Sequence, residues 1–475
     1  MSIVARLAEF VAGLRWEDVP GTLRDKLEDH VVDTLGVMCA GTTARESPLA
    51  IEAIGRWRGE AASTVVATNL RLPPAHAAFL NAFHGRIHSY DDTLDAGPIH
   101  SGSVVTAAAL ASAEANKTCG TTLLAAILAG YEVVARIVAA FGSAHYAAGF
   151  HTTGTCNVFG AAAAAGKVRG LDPKALIDAM GIAGGMASGL RQYQIDGSIS
   201  GSALNGAHAA LAGVLSAELA AAGLAGPAGV LDGKFGLGTI TVPGADFSNA
   251  VRGLGSDYLF ADTAIKPLPT CRFTHGPLHV LARLQREHAF AARDVERIEI
   301  TTFRRSIEVS DRPHVTSRSE ALLSHQTCAA LLLTRGTIDL ATLDAGAYRE
   351  ASVRDLAARI RVVHSEELEA QYPAAWPHRI GVLTRDGRML EGLSRNPPGA
   401  ASDPIPRAAV EAKFHANAGD VLGAARTASL LNAVRSLSAS PDVSSIAPLL
   451  RPERRDASSA ALAAAGIVAG MTRCA

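Results

Sequence analysis

The chain has 475 residues, of which 48% are hydrophobic and 19% charged, and its formal net charge is −1. Such a composition supports a large buried core and excludes a disordered chain. A nearly neutral balance supplies no basic field for nucleic acid or an anionic membrane surface, so neither is expected as a partner.

The N-terminal stretch MSIVARLAEFVAGLRWEDVP lacks the basic start, apolar run and small-residue cleavage site of a secretory signal. The longest apolar runs are broken by Glu, Arg, Gly or Ser before they reach membrane-spanning length. The six cysteines (Cys39, Cys119, Cys156, Cys271, Cys328 and Cys474) are scattered, without a C-x-x-C pair. That fits a reducing compartment and argues against a zinc ribbon or disulfide scaffold. A cytoplasmic protein without a membrane span is expected.

Up to about Asn249 the pattern is helical. TTLLAAILAGYEVVARIVAAF places Leu123, Ile127, Leu128, Tyr131, Val134 and Val138 on one face. The abundance of Ala and Gly predicts helices packed closely in a bundle. GLDPKALIDAMGIAGG predicts a helix with Asp172 as N-cap and Pro173 in the first position. GSALNGAHAALAGVLSAELAAAGLAGP reads as a long helix ended by the run from Gly223 to Pro227. The texture changes at KPLPTCRFTHGP. Beyond it VERIEITTF alternates like a strand, RIRVV is a second, and HRIGVLTRDGRMLEG predicts a hairpin with a two-residue turn at Asp386-Gly387. SEALLSHQTCAALLLTRG is helical, and after the Pro-rich RNPPGAASDPIP the chain from IPRAAVEAKFHANA to its end reads as helix again. The expected fold is mainly α: a large helical domain of residues 1–265, completed by 405–475, with an inserted smaller α+β lid at 266–404. A cleft between two such parts is where a ligand is expected.

Four polar segments interrupt this apolar background. HSYDDTLDAGPIHSG sets His88 and His100 around Asp91, Asp92, Thr93 and Asp95. Helix caps would explain an isolated Asp-Asp-Thr, but carboxylates beside imidazoles also suit general acid–base work. A metal site from His88, Asp92 and His100 lacks a recognised ligand spacing, and no metal is expected. In GFHTTGTCNVFG, His151 precedes a helix start, where free N–H groups attract carboxylate or phosphate. In ASGLRQYQIDGSISGSALNGAH, Arg191 is a candidate bidentate clamp for a substrate carboxylate. In KPLPTCRFTHGP, prolines stiffen a stretch carrying Lys266, Arg272 and His275, which suits anion binding.

The ordered series NAFHGRIHSYDDTLDAGPIHSGSVVTAAALA, GYEVVARI, AAGFHTTGTCNVFGAAAAAGKVRGLDP, HAALAGVLSAELAAAGLAGPAGVLDGKFG, KPLPTCRFTHGPLHVL and AVEAKF resembles the MmgE/PrpD superfamily, which holds 2-methylcitrate dehydratase, cis-aconitate decarboxylase and iminodisuccinate epimerase. The resemblance implies a helical domain with an α+β lid, a homodimer, and chemistry without metal or organic cofactor, in which a proton moves at carbon next to a carboxylate. It marks Asp91 or Asp92, Thr93, His100, His151 and Lys266 as active-site positions. On that basis Lys266, Arg272 and Arg191 hold carboxylates, His100 and His151 share the roles of base and acid, and an aspartate orients or tunes an imidazole. The chain departs from the family pattern at Ser89, where an Asp is usual, at Ser202 in place of a Lys, and at Thr327, beside His325, in place of a Tyr. The expected activity is therefore a lyase on a small di- or tricarboxylate. An epimerase of a dicarboxylate such as iminodisuccinate, or a catalytically silent carboxylate-binding homologue, are the alternatives.

Overall fold

Small residues decide how the helices of the N-terminal half meet. Gly130, in the helix Gly120–Phe141, faces Gly160, in the helix Asn157–Val168. A Cβ on either glycine would lie 2.6–2.8 Å from the carbonyl oxygen of the other, so the two backbones touch where only hydrogen fits. Gly213, in the long helix Ile199–Ala221, presses in the same way on the backbone of Ala161 and Ala162. These contacts build the Ala-rich bundle expected from the sequence. A computed structural model of the protein describes residues 2–453 apart from 58, 96 and 98. The helix expected to run to the chain end is described as Arg407–Leu422 and Ala424–Arg435, followed by short 3-10 turns. The remainder of that expectation, with Cys474, lies outside the described residues.

Several local expectations hold. Asp172 accepts the Ala175 N–H at 2.8 Å and caps Pro173–Gly184. Others need correction. The helix Gly120–Phe141 is buried almost all round rather than along one stripe. It is also long and apolar enough to cross a membrane by length and composition, contrary to the reading of its sequence as too interrupted. Its apolar surface is already spent on neighbouring helices, so it serves as the core of the bundle. The Asp386-Gly387 hairpin is closed by three residues rather than two. Thr384 donates its N–H to Arg388 O at 3.0 Å, and Gly387 takes a φ of 87°, the left-handed position of a bulged turn.

The sheet has four strands, in the order Ile360–His364, Val295–Thr302, His378–Thr384, Met389–Ser394. The first pair is parallel and the others antiparallel, so the protein is mainly helical with one small mixed sheet. The two largest apolar clusters are separate. One draws on residues between 3 and 265 and between 410 and 450; the other lies between 278 and 390. A two-residue ladder, Thr93 to Ala264 and Leu94 to Thr263, ties the Asp-Asp-Thr segment to the chain just before Lys266.

Candidate active site

The Asp-Asp-Thr segment follows the helix Pro74–Ile87 and is fully buried. Burial obliges each carboxylate to find donors. Asp92 accepts from Tyr131 Oη at 2.5 Å, His30 Nδ1 at 2.8 Å and the Gly102 N–H at 2.9 Å. Burial alone would raise its pKa, but the bonds from His30, Tyr131 and Gly102 outweigh it and hold the group below its ordinary value. Asp92 thus caps the helix Gly102–Asn116 from a distance. Asp91 pairs with Arg86 and accepts from Ser103 Oγ at 2.8 Å. It lies 3.8 Å from His100 Nδ1.

The carbonyl of Asp92 sits 2.7 Å from His100 Nδ1. A carbonyl only accepts, so Nδ1 carries the proton and Nε2 is bare. Thr93 Oγ1 lies 3.1 Å from the same Nδ1. Burial, and then the positive charges of Arg86 and Lys266, hold His100 well below the ordinary imidazole range. His151 is fixed in the opposite sense. Asn205 Nδ2 lies 3.0 Å from His151 Nδ1 and also donates to Leu190 O at 3.2 Å, so the amide nitrogen is correctly placed and Nδ1 accepts. The His151 proton is therefore on Nε2, which donates to Tyr193 Oη at 3.1 Å. Burial, followed by Arg86 and Arg191, keeps His151 neutral. Lys266 donates to the carbonyl of Ser89 at 2.7 Å. Ser89 has a φ of 53°, uncommon without a glycine. Burial, partly offset by Asp91, brings Lys266 down to about 8.

His100, His151, Lys266, Thr93, Arg86, Ser89, Tyr193 and Ser202 line one pocket. An apolar cluster also lines it: Phe273, Val309, Leu323 and Trp376, with the Phe273 and Trp376 rings stacked at 4.7 Å. His151 and Lys266 thus share a cavity across 115 positions of sequence.

Other expected site residues are placed differently. Arg272 lines the pocket, but its guanidinium is engaged by Asp95 through two bonds of 3.0 and 2.8 Å and by the carbonyls of Pro397 and Pro398. It is a latch between segments. Arg191 donates to Tyr146 O at 2.7 Å and Gln194 Oε1 at 3.0 Å, outside the pocket lining, and acts on the site through those two residues. His275 is buried outside the pocket lining, with Nε2 3.4 Å from Thr270 O. Neither aspartate lines the pocket; the Asp92 carboxylate orients His30, and only its backbone carbonyl meets a pocket imidazole, His100. His88 donates to Ala40 O and accepts from Arg318, away from the pocket. Among the described residues no three His, Cys, Asp or Glu side chains converge as a metal-ligand set.

Arg86 was not legible as a site residue. Its only signal is a lone arginine in the last turn of an apolar helix. It is 2% exposed, and its Nη2 donates to Ser202 Oγ at 2.6 Å. The position at which the resemblance would put a lysine is thus served by a cation from another helix. Thr327 is buried outside the pocket lining and replaces no hydroxyl there.

Two family models match most of the chain. The MmgE/PrpD N-terminal domain matches residues 5–250 and the MmgE/PrpD C-terminal domain residues 268–439. The cis-aconitate decarboxylase of Aspergillus terreus is 26% identical, over 94% of this chain and 96% of its own length. The human cis-aconitate decarboxylase is 27% identical over 95% of both chains. A cis-aconitate decarboxylase-like protein of Aspergillus oryzae is also 27% identical, over 95% of this chain and 98% of its own.

Proposed function

The chain belongs to the MmgE/PrpD family, and from that premise we propose that it is a lyase that moves a proton at carbon next to a carboxylate of a small di- or tricarboxylate, without a metal or organic cofactor. The observation that carries this reading is a pocket whose lining combines a buried cation, a bare imidazole nitrogen and an apolar cluster. Lys266 brings positive charge to the lining with His100, whose Nε2 is bare, Arg86 joins them while paired to Asp91, and Phe273, Val309, Leu323 and Trp376 supply hydrocarbon. Cations anchor carboxylates. The apolar cluster excludes water, which strengthens those interactions and favours release of a neutral molecule from a charged one. In a decarboxylation the bond to the departing carboxyl group breaks, its electron pair passes into the conjugated system, and one proton is delivered to carbon. In a dehydration the neutral imidazole of His100 takes the proton next to the carboxylate, and hydroxide leaves with a proton from an acid.

A specific observation keeps the epimerase reading in second place. Thr327 stands where the resemblance puts a Tyr and lies outside the pocket lining, so that hydroxyl is not replaced there, and epimerisation requires no acid for a leaving group. We also propose that residues 266–404 act as a lid, with Arg272 latching it to Asp95. Incubation with cis-aconitate, citrate-type and iminodicarboxylate substrates in deuterated water, followed by NMR, tests the reading. Loss of carbon dioxide or water with deuterium in the product is expected, and hydrogen exchange within 266–404 should slow on binding. Deuterium entering substrate without net consumption would overturn the lyase in favour of the epimerase. Binding with neither outcome would leave a carboxylate-binding protein.

A further inference from the structure

Tyr193, in the short helix Gln192–Asp196, lines the pocket, and neither the family pattern quoted above nor the base and anchor already described gives it a task. Three side chains meet its oxygen: His151, Gln194 and Ser202. Its oxygen receives the His151 Nε2–H at 3.1 Å, because Asn205 fixes the His151 tautomer. It also receives Gln194 Nε2–H at 3.3 Å. Gln194 cannot be turned round, because its Oε1 accepts from Arg191, which has only donors. Two N–H groups therefore occupy the phenol oxygen as an acceptor. Its own hydrogen must be donated elsewhere, and the third partner, Ser202, whose Oγ also accepts from Arg86, belongs to the pocket lining, where a substrate would compete for that hydrogen.

We propose that Tyr193 is the catalytic proton donor of this chain, delivering its hydroxyl hydrogen to the substrate carbon. This rests on the lyase reading above in its decarboxylating form, in which carbon dioxide departs and leaves its bonding pair on carbon. In the step, the O–H bond of Tyr193 breaks as a C–H bond forms at the carbon left with the electron pair of the departing group. The resulting phenolate keeps its bonds from His151 and Gln194 and regains a proton from solvent as product leaves. Such preorganised donors, aimed at the atom where charge develops, are the usual source of electrostatic stabilisation. Burial holds the phenol up, so it stands protonated at neutral pH, and Arg86 favours the phenolate once it forms. The same arrangement gives His151 a second task. It is the donor that steadies Tyr193 rather than the acid that meets substrate.

The test compares wild type with Tyr193→Phe and Asn205→Asp on the substrate that the wild type turns over. Tyr193→Phe keeps the ring against His151 and removes only the oxygen. Its kcat should fall by about 10²–10⁴-fold, the usual contribution of a general acid, with KM within a few-fold and a cooperative melt retained. Asn205→Asp retains Tyr193 but draws the His151 proton to Nδ1. Nε2 then takes up the Tyr193 hydrogen, and kcat should fall in the same direction. A Tyr193→Phe enzyme with wild-type kcat, or one in which only KM changes, overturns the assignment. Wild-type turnover in Asn205→Asp overturns the tautomer argument on which it stands. If the wild type shows neither turnover nor exchange, the lyase reading fails first, and the role of Tyr193 falls with it.

Discussion

Asp92 separates a structural from a catalytic reading of the Asp-Asp-Thr segment. Its carboxylate accepts three hydrogen bonds and is fully buried. Asparagine fills the same volume but has one oxygen. If that oxygen keeps His30 and Tyr131, its NH₂ faces the Gly102 N–H, and one buried donor is left unmet at a cost of about 1–3 kcal/mol. The two surviving bonds lose a charged acceptor, worth roughly 1 kcal/mol each. Asp92→Asn should therefore cost about 3–5 kcal/mol, against a typical total of about 5–15 kcal/mol. Equilibrium urea denaturation reads this directly. The folded pKa of Asp92 is depressed, so its contribution is complete above its unfolded value of 3.8 and is lost as pH falls through the folded one. The gap between wild type and variant should thus stay constant from about pH 5 to 8 and narrow only in stronger acid. The folded fraction should retain turnover within a few-fold, since Asp92 does not line the pocket. A variant as stable as wild type, or a stable variant that has lost about 10²-fold or more of its turnover, would refute this account and return Asp92 to the chemistry.

His100→Gln should lower kcat by about 10²–10⁴-fold with little change in melting temperature. Because the His100 imidazole is held well below its ordinary range, the base stays neutral in mild acid, and kcat/KM should remain flat as pH falls from 7 towards 6; a loss centred near 6.5 would contradict the assignment. Lys266 is charged below about 8 and neutral above it, so KM should climb as pH rises through that value. Lys266→Ala should raise KM at neutral pH and remove this limb of the profile, as steady-state kinetics across pH will show.

The sequence alone settled what depends on short spans of chain. Asp172 caps its helix because a cap bond reaches only three residues. The strands at Val295–Thr302 and His378–Thr384 were readable because alternation is local. The order of polar segments pointed to the family and to His100, His151 and Lys266, which do share a pocket. Tertiary structure decided everything that rests on long-range partners. Asp91 and Asp92 look alike in sequence. One is committed to Arg86 and the other to His30 and Tyr131, partners up to 62 residues away. Arg272 and Arg191 were expected to meet substrate, yet each has its donors engaged by protein groups that its local sequence does not reveal. Arg86 and the pair of Phe273 and Trp376 carry no local mark of a site, because a buried arginine or an aromatic pair reads as core until the fold shows that it faces a cavity. The tautomers of His100 and His151, which divide the bare nitrogen from the steadying donor, depend on a carbonyl and an amide brought to them by other segments. Residue type is written in the chain, but which groups a side chain must satisfy once water is excluded is fixed only by packing.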